Sequence, residues 1–183
     1  YPAIDLCSQQ IRLFKLYPRP AETKPYGHFQ CATLAALPAY TALSYSWGDT
    51  IRLRQIAVGR NVWITIRNNL YEFLCQRSSS MSEPELFWID AICIDQSNVQ
   101  ERNHQVNLMK QIYVKASRVC IWLGVEAENS SLAMDYLCAK GAQKLRRKGF
   151  GYHPFWTKEE GKALAELCER PYWRRMWIVQ EVV

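Results

Sequence analysis

Two short runs, LFWID (residues 86–90) and RVCIWLG (118–124), are apolar with almost no polar alternation. A strand that is apolar on both sides of its pleat must be covered on both faces, which calls for helices above and below the sheet. Between the runs lies a helix-length segment. Ser97 with Gln100 reads as a capping box, and Val106, Met109, Ile112, Tyr113 and Ala116 give a buried stripe at helical spacing. Strand, helix and strand in that order predict a parallel βαβ unit, whose ligands bind in the crevice at the carboxyl ends of the strands.

The rest of the chain extends this pattern. QIRLFKL, with Ile11 and Leu13, reads as a first strand, and PRPAETKPYG as a loop. YTALSYS (40–46) is β-prone and ends in the turn signal WGD, which puts Ser44, Trp47 and Asp49 at or beyond a strand's carboxyl end. IAVGRNVWI predicts a hairpin turning at Gly59 to Asn61, followed by a helix through NNLYEFLCQ that serines 78 to 80 break. SSLAMDYLCAKGAQKL reads as a helix and RRKGFGYHPFW as a loop; Thr157 with Glu160 caps a further helix carrying Ala163, Leu164 and Leu167. Pro171 then opens a final helix, which the chain leaves two residues after Glu181, as a piece of a longer protein would.

The 183 residues are 49% hydrophobic and 22% charged, enough to bury a core, and no apolar run approaches the about 20 residues that cross a bilayer. With no leader pattern either, the expectation is a cytoplasmic protein. Seven cysteines without a CxxC pair read as reduced, buried thiols. His28, His104 and His153 lie far apart and outside ligand spacing, so no metal is expected. The basic run KGAQKLRRKG (140–149) carries much of the net charge of +6; without interleaved aromatic residues it reads as a solvated face, not a specific nucleic-acid site.

Candidate chemistry gathers in two places. Trp173, Trp177 and Glu181 follow one another at i, i+4 and i+8, so a helix sets a carboxylate in line with two indoles; this is either a core stripe whose glutamate reaches solvent or a ligand-binding face. In the crevice, Ser44, Trp47, Asp49, Asp90 and Asp95 meet at strand ends. Carboxylates near aromatic rings suit glycosidic cleavage, where a carboxylate stabilises an oxocarbenium-like transition state. Asp90 equally suits a turn cap, and Asp95 reads as a turn residue. No GxSxG, Walker or GxGxxG pattern occurs, and Cys93 reads as a buried thiol, not a nucleophile.

Taken in order, YTALSYSWGD, then LFWIDAICIDQ with ERNHQVNLMKQIYVKASRVCIWLG, and finally WRRMWIVQE resemble the signature blocks of the fungal heterokaryon-incompatibility (HET) domain. The blocks run from Tyr40 to Glu181. That family is taken as a distant relative of TIR domains, which implies an α/β fold: a TIR-like (flavodoxin-like), mostly parallel sheet flanked by helices, with a small N-terminal β-hairpin region and a helical insertion before the last helix. The implied organisation is one HET domain over residues 1–183, made of an N-terminal strand and loop (1–39), a TIR-like core (40–124), the insertion (125–170) and the final helix (171–183). LSYSWGD resembles the TIR opening strand and loop, and WRRMWIVQEV the TIR helix whose glutamate supports cleavage of the nicotinamide–ribose bond of NAD. Carried over, that role falls on Glu181, with Ser44, Trp47, Asp49, Asp90, Trp173 and Trp177 as substrate-binding candidates. The resemblance implies NAD as substrate and no bound cofactor, death signalling after non-self recognition, self-association through the domain, and further domains in the parent protein. It also admits a second outcome, a non-catalytic module that signals by oligomerising, since TIR-like folds serve both ends.

Overall fold

Seven strands carry the computed structural model, which describes residues 1–138 and 156–175: β1 (Gln10–Leu16), β2 (Tyr26–Thr33), β3 (Thr41–Tyr45), β4 (Leu53–Val58), β5 (Trp63–Arg67), β6 (Glu85–Trp88) and β7 (Arg118–Trp122). They form one sheet in the order β5-β4-β2-β1-β6-β3-β7. The class is α/β, as the sequence pattern requires. Parallel pairing holds for β6, β3 and β7, the part read from the apolar runs, and for β2 with β4; β1 runs antiparallel to both its neighbours, and β4 to β5. The N-terminal hairpin is no appendage. β1 pairs along its length with β2 and on its other side with β6, which makes it the middle strand and explains why Ile11 to Phe14 are all buried, Arg12 included.

Helices α1 (Asn68–Ser80), α2 (Asp90–Cys93) and α3 (Val99–Lys115) follow in the same part of the chain. Phe73 of α1 meets Phe87 edge-on at 5.7 Å, while Tyr113 of α3 meets the next strand residue, Trp88, at 5.6 Å. Successive strand residues point to opposite faces, so α1 and α3 cover opposite sides of the sheet. Each also closes with polar contacts: the Tyr113 hydroxyl donates to Leu43 O at 3.0 Å, and Trp122 Nε1 donates to Asn69 Oδ1 of α1 at 2.9 Å.

Several local expectations are corrected. Serines 78 to 80 do not break α1; they form its last turn, each hydroxyl donating to the carbonyl three residues back. Asn98, not Ser97, caps α3, accepting from Glu101 N at 3.1 Å, because Ser97 already donates its N–H and hydroxyl to Asp95 Oδ1. Val106 is exposed and leaves the stripe, which is filled by Leu108, Met109, Ile112 and Tyr113. β7 is an edge strand and only partly buried, so its apolar run reflects one covered face, not two. Of the cysteines, Cys93 alone is fully buried, and Cys7, Cys138 and Cys168 are exposed. The β4–β5 hairpin turns as expected, with Gly59 and Asn61 both at positive φ.

The chain divides into two compact units, Tyr1–Gly124 with Arg175–Val183, and Val125–Arg174. The second contains α4 (Ser130–Tyr136), α5 (Lys158–Cys168) and a 3-10 turn at Pro171–Arg174. Thr157 and Glu160 form the expected capping box on α5: Glu160 N donates to Thr157 Oγ1 at 3.1 Å and Thr157 N donates to Glu160 Oε2 at 2.7 Å. Arg170 is buried and donates to Val125 O and Ala127 O, tying both ends of the unit together. Pro171 opens a 3-10 turn in place of the α-helix expected there, and Arg175 is not helical. The basic run at 140–149 lies outside the described residues, and among the described residues no helix is long and apolar enough to cross a membrane.

Candidate functional site

The parallel pairing Ala42↔Trp88 aligns β3 with β6, so the residues that follow both strands emerge at one end of the sheet. Ser46 and Trp47 leave β3 there, and Asp90 opens α2. Trp47 Nε1 donates to Asp90 Oδ2 at 2.8 Å, and the second oxygen, Oδ1, accepts from Ala91 N at 2.7 Å. Asp90 therefore caps its own turn, as one of its two readings has it, and also stands beside an indole. A cleft of about 390 Å³ opens at this pair, with Gln96, Arg102, Met109 and Arg175 among its walls. Val106 also lines it, which accounts for its exposure.

Trp47 has a second side. There Tyr45, Leu53, Ile66, Arg67 and Ala91 enclose a further concavity of about 300 Å³, and Trp47 and Gln96 line both. The Arg67 guanidinium lies over the Trp47 ring at 5.0 Å and donates to Gly48 O at 3.0 Å. Stacked on one face and hydrogen-bonded at its edge, the indole is fixed in place. Asn69 completes the support by donating to Ser46 O while accepting from Trp122. Burial, reinforced by the Asp90 charge, pushes the Tyr45 hydroxyl well above its ordinary pKa, so it stands as a neutral group.

Arg12 and Glu101 form a buried ion pair. Arg12, fully buried in β1, donates from its two terminal nitrogens to the two Glu101 oxygens at 2.9 Å each; one of these nitrogens also donates to Cys93 O at 2.7 Å, and Nε donates to Pro2 O at 3.0 Å. Asp95 N donates to Glu101 Oε1 at 2.7 Å, and Gln96 Nε2 to Asp90 O at 2.9 Å. The segment from Asp90 to Gln96 is thus pinned to the core pair through Cys93 and Asp95, while its two ends, Asp90 and Gln96, line the cleft. Burial pushes the Cys93 thiol up to about 12, far from a reactive thiolate.

The sequence candidates separate accordingly. Trp47 and Asp90 come together in the cleft. Ser44 is fully buried within β3 and lines neither concavity; Ser46, two residues on, lines the first. Asp49 is exposed and accepts from Ile51 N and Arg52 N, a turn cap whose two donors lower its pKa. Asp95 caps the turn to Ser97, as read. Trp173 sits in the 3-10 turn of the second unit, half exposed, donating to Leu167 O at 3.0 Å. Trp177 and Glu181 lie outside the described residues. Not read from the sequence were Arg67, Arg102 and the Arg12–Glu101 pair. An arginine inside the apolar run IRLFKL was the available signal, since a guanidinium in a buried strand requires a carboxylate.

Residues 40–181 match the family model described as heterokaryon incompatibility protein (HET), the same span that the signature blocks cover. The chain belongs to this family. Among curated relatives, 95% of the chain is similar, at 35% identity, to heterokaryon incompatibility protein 6, OR allele, of Neurospora crassa, and 57% of it, at 28% identity, to vegetative incompatibility protein HET-E-1 of Podospora anserina. The HET chain spans 32% of the length of the first and 7% of the second. No solved structure matches it.

Proposed function

We propose that this HET domain is a programmed-death effector of heterokaryon incompatibility that hydrolyses NAD when its copies assemble. Both relatives bear names from incompatibility, which supports the biological half of the reading. The chemical half is carried by one observation: an indole, a carboxylate and two arginines, Trp47, Asp90, Arg102 and Arg175, line a cleft at the carboxyl ends of two parallel strands. Nucleotides bind at that end of α/β sheets, and Arg102 makes no ion pair among the described residues that would compete with a diphosphate.

In the proposed reaction the bond between ribose C1′ and the nicotinamide nitrogen breaks, and the electron pair leaves with nicotinamide. Water adds to C1′ and gives up one proton, yielding ADP-ribose. Glu181 would orient the ribose hydroxyls and stabilise the oxocarbenium ion, Trp47 would stack the nicotinamide ring, and Asp90 would hold that indole and oppose the positive charge. The test is nicotinamide release from NAD by the domain, dilute and then artificially clustered, beside Glu181→Ala. Release that depends on Glu181 is expected, and no release in the clustered state would sink the enzyme reading.

The second reading is a non-catalytic assembly module. It is favoured by the edge strand β5, beside which Ile51, Val62 and Trp63 are all more than half exposed. It requires self-association that Trp63→Lys abolishes, with no nucleotide turnover at any concentration.

A further inference from the structure

The wall formed by Trp47 and Gln96 has a concavity on each side, and the reaction above uses one of them. The second is lined by Tyr45, Ile66 and Ala91, with the half-exposed Leu53 at its rim and Arg67 stacked on the dividing indole. Its volume of about 300 Å³ is at the lower end of small-molecule pockets and suits a single nucleoside. Arg67 donates to one backbone carbonyl and makes no ion pair among the described residues. Apolar walls beside an unpaired guanidinium complement a flat base joined to a phosphate.

We propose that this second concavity seats the adenylate half of the dinucleotide, with the base against Tyr45 and Ile66, the phosphate toward Arg67, and the diphosphate crossing the Trp47–Gln96 wall. The identity of the ligand rests on the NAD reading; the placement rests on the shared wall. The division follows from the linings. The first concavity sets the Asp90 carboxylate beside Trp47 for the cationic nicotinamide ring and holds Arg102 and Arg175 for the diphosphate, while the second has apolar walls and Arg67 for the base and phosphate of the adenylate.

Leu53 gives the test, because it pairs with Arg67 across β4 and β5 and both side chains lie on one face. Leu53→Glu sets a carboxylate against Arg67, and Leu53→Trp fills the mouth; at an exposed position both should fold, which a thermal melt checks. Calorimetry with adenosine monophosphate, nicotinamide mononucleotide and NAD then compares the ligands. Each variant is expected to weaken adenosine monophosphate and NAD by about tenfold or more, so that the preference for NAD over nicotinamide mononucleotide collapses. The placement is overturned if adenosine monophosphate does not bind the wild type, or if the variants weaken nicotinamide mononucleotide as much as NAD. Should the expected pattern appear while the clustered wild type releases no nicotinamide, the nucleotide site stands and the hydrolase reading falls. Nicotinamide release with unaltered ligand preference in both variants would do the reverse.

Discussion

Glu101 and Asp90 are two carboxylates joined by one short stretch of chain, and their surroundings differ in what they leave open. Glu101 is buried with each oxygen paired to the Arg12 guanidinium, and one oxygen also accepts from Asp95 N. Its charge is spent inside the fold. Asp90 also accepts on both oxygens, but from an indole and its own turn, and it lines a cleft that it shares with two arginines. Its carboxylate faces a cleft and not the packed core. α2 links the two, starting at Asp90 and ending at Cys93, whose carbonyl accepts from Arg12. A rigid core pair thereby fixes the geometry of a segment that lines the cleft.

Breaking the core pair should have the largest effect. Arg12→Met or Glu101→Gln alone is expected to cost about 3–5 kcal/mol in urea unfolding, because the remaining charge is buried unpaired. Arg12→Met with Glu101→Leu should recover part of that loss. If the single and double variants were equally unstable, the pair would not be what holds this region. At the cleft, Asp90→Asn should cost only about 1 kcal/mol, since an amide still accepts from the indole, yet lower nicotinamide release about a hundredfold. Undiminished release would move the chemistry elsewhere and dissolve the contrast.

Cys93 sharpens the comparison through pH. Its folded-state pKa lies near 12 against an ordinary 9.0, so the folded chain holds this proton more tightly than the unfolded one. The resulting stability is complete below about pH 9 and is lost as pH rises toward about 12. Cys93→Ala should flatten that decline in unfolding measurements at stepped pH, and an unchanged slope would assign it to other groups. A surface pair marks the lower bound: exposed Lys162 and partly buried Glu166 on α5 stand 3.6 Å apart, and Lys162→Met should change stability by no more than about 0.5 kcal/mol.

Much of the fold was legible because it rests on local rules. Alternating and continuous apolar runs announced β1, β3 and β6, Gly59 and Asn61 announced the hairpin, and Thr157 with Glu160 announced α5. Errors arose where neighbours in space decide. The cap of α3 moved to Asn98 because Asp95 engages Ser97, and β7 proved half exposed because sheet order put it at an edge.

The site divides along the same line. Sequence alone determined the family, through blocks of residues in fixed order, and placed Trp47 and Asp90 at strand ends, because where a strand stops is a matter of nearby residues. Only the tertiary structure decided that those two meet, that Ser44 is buried, that Arg67 stacks on the indole and that Arg12 finds Glu101. Each of these depends on which strands become neighbours and in what register, and pairing energies of that kind are summed over residues far apart in the chain.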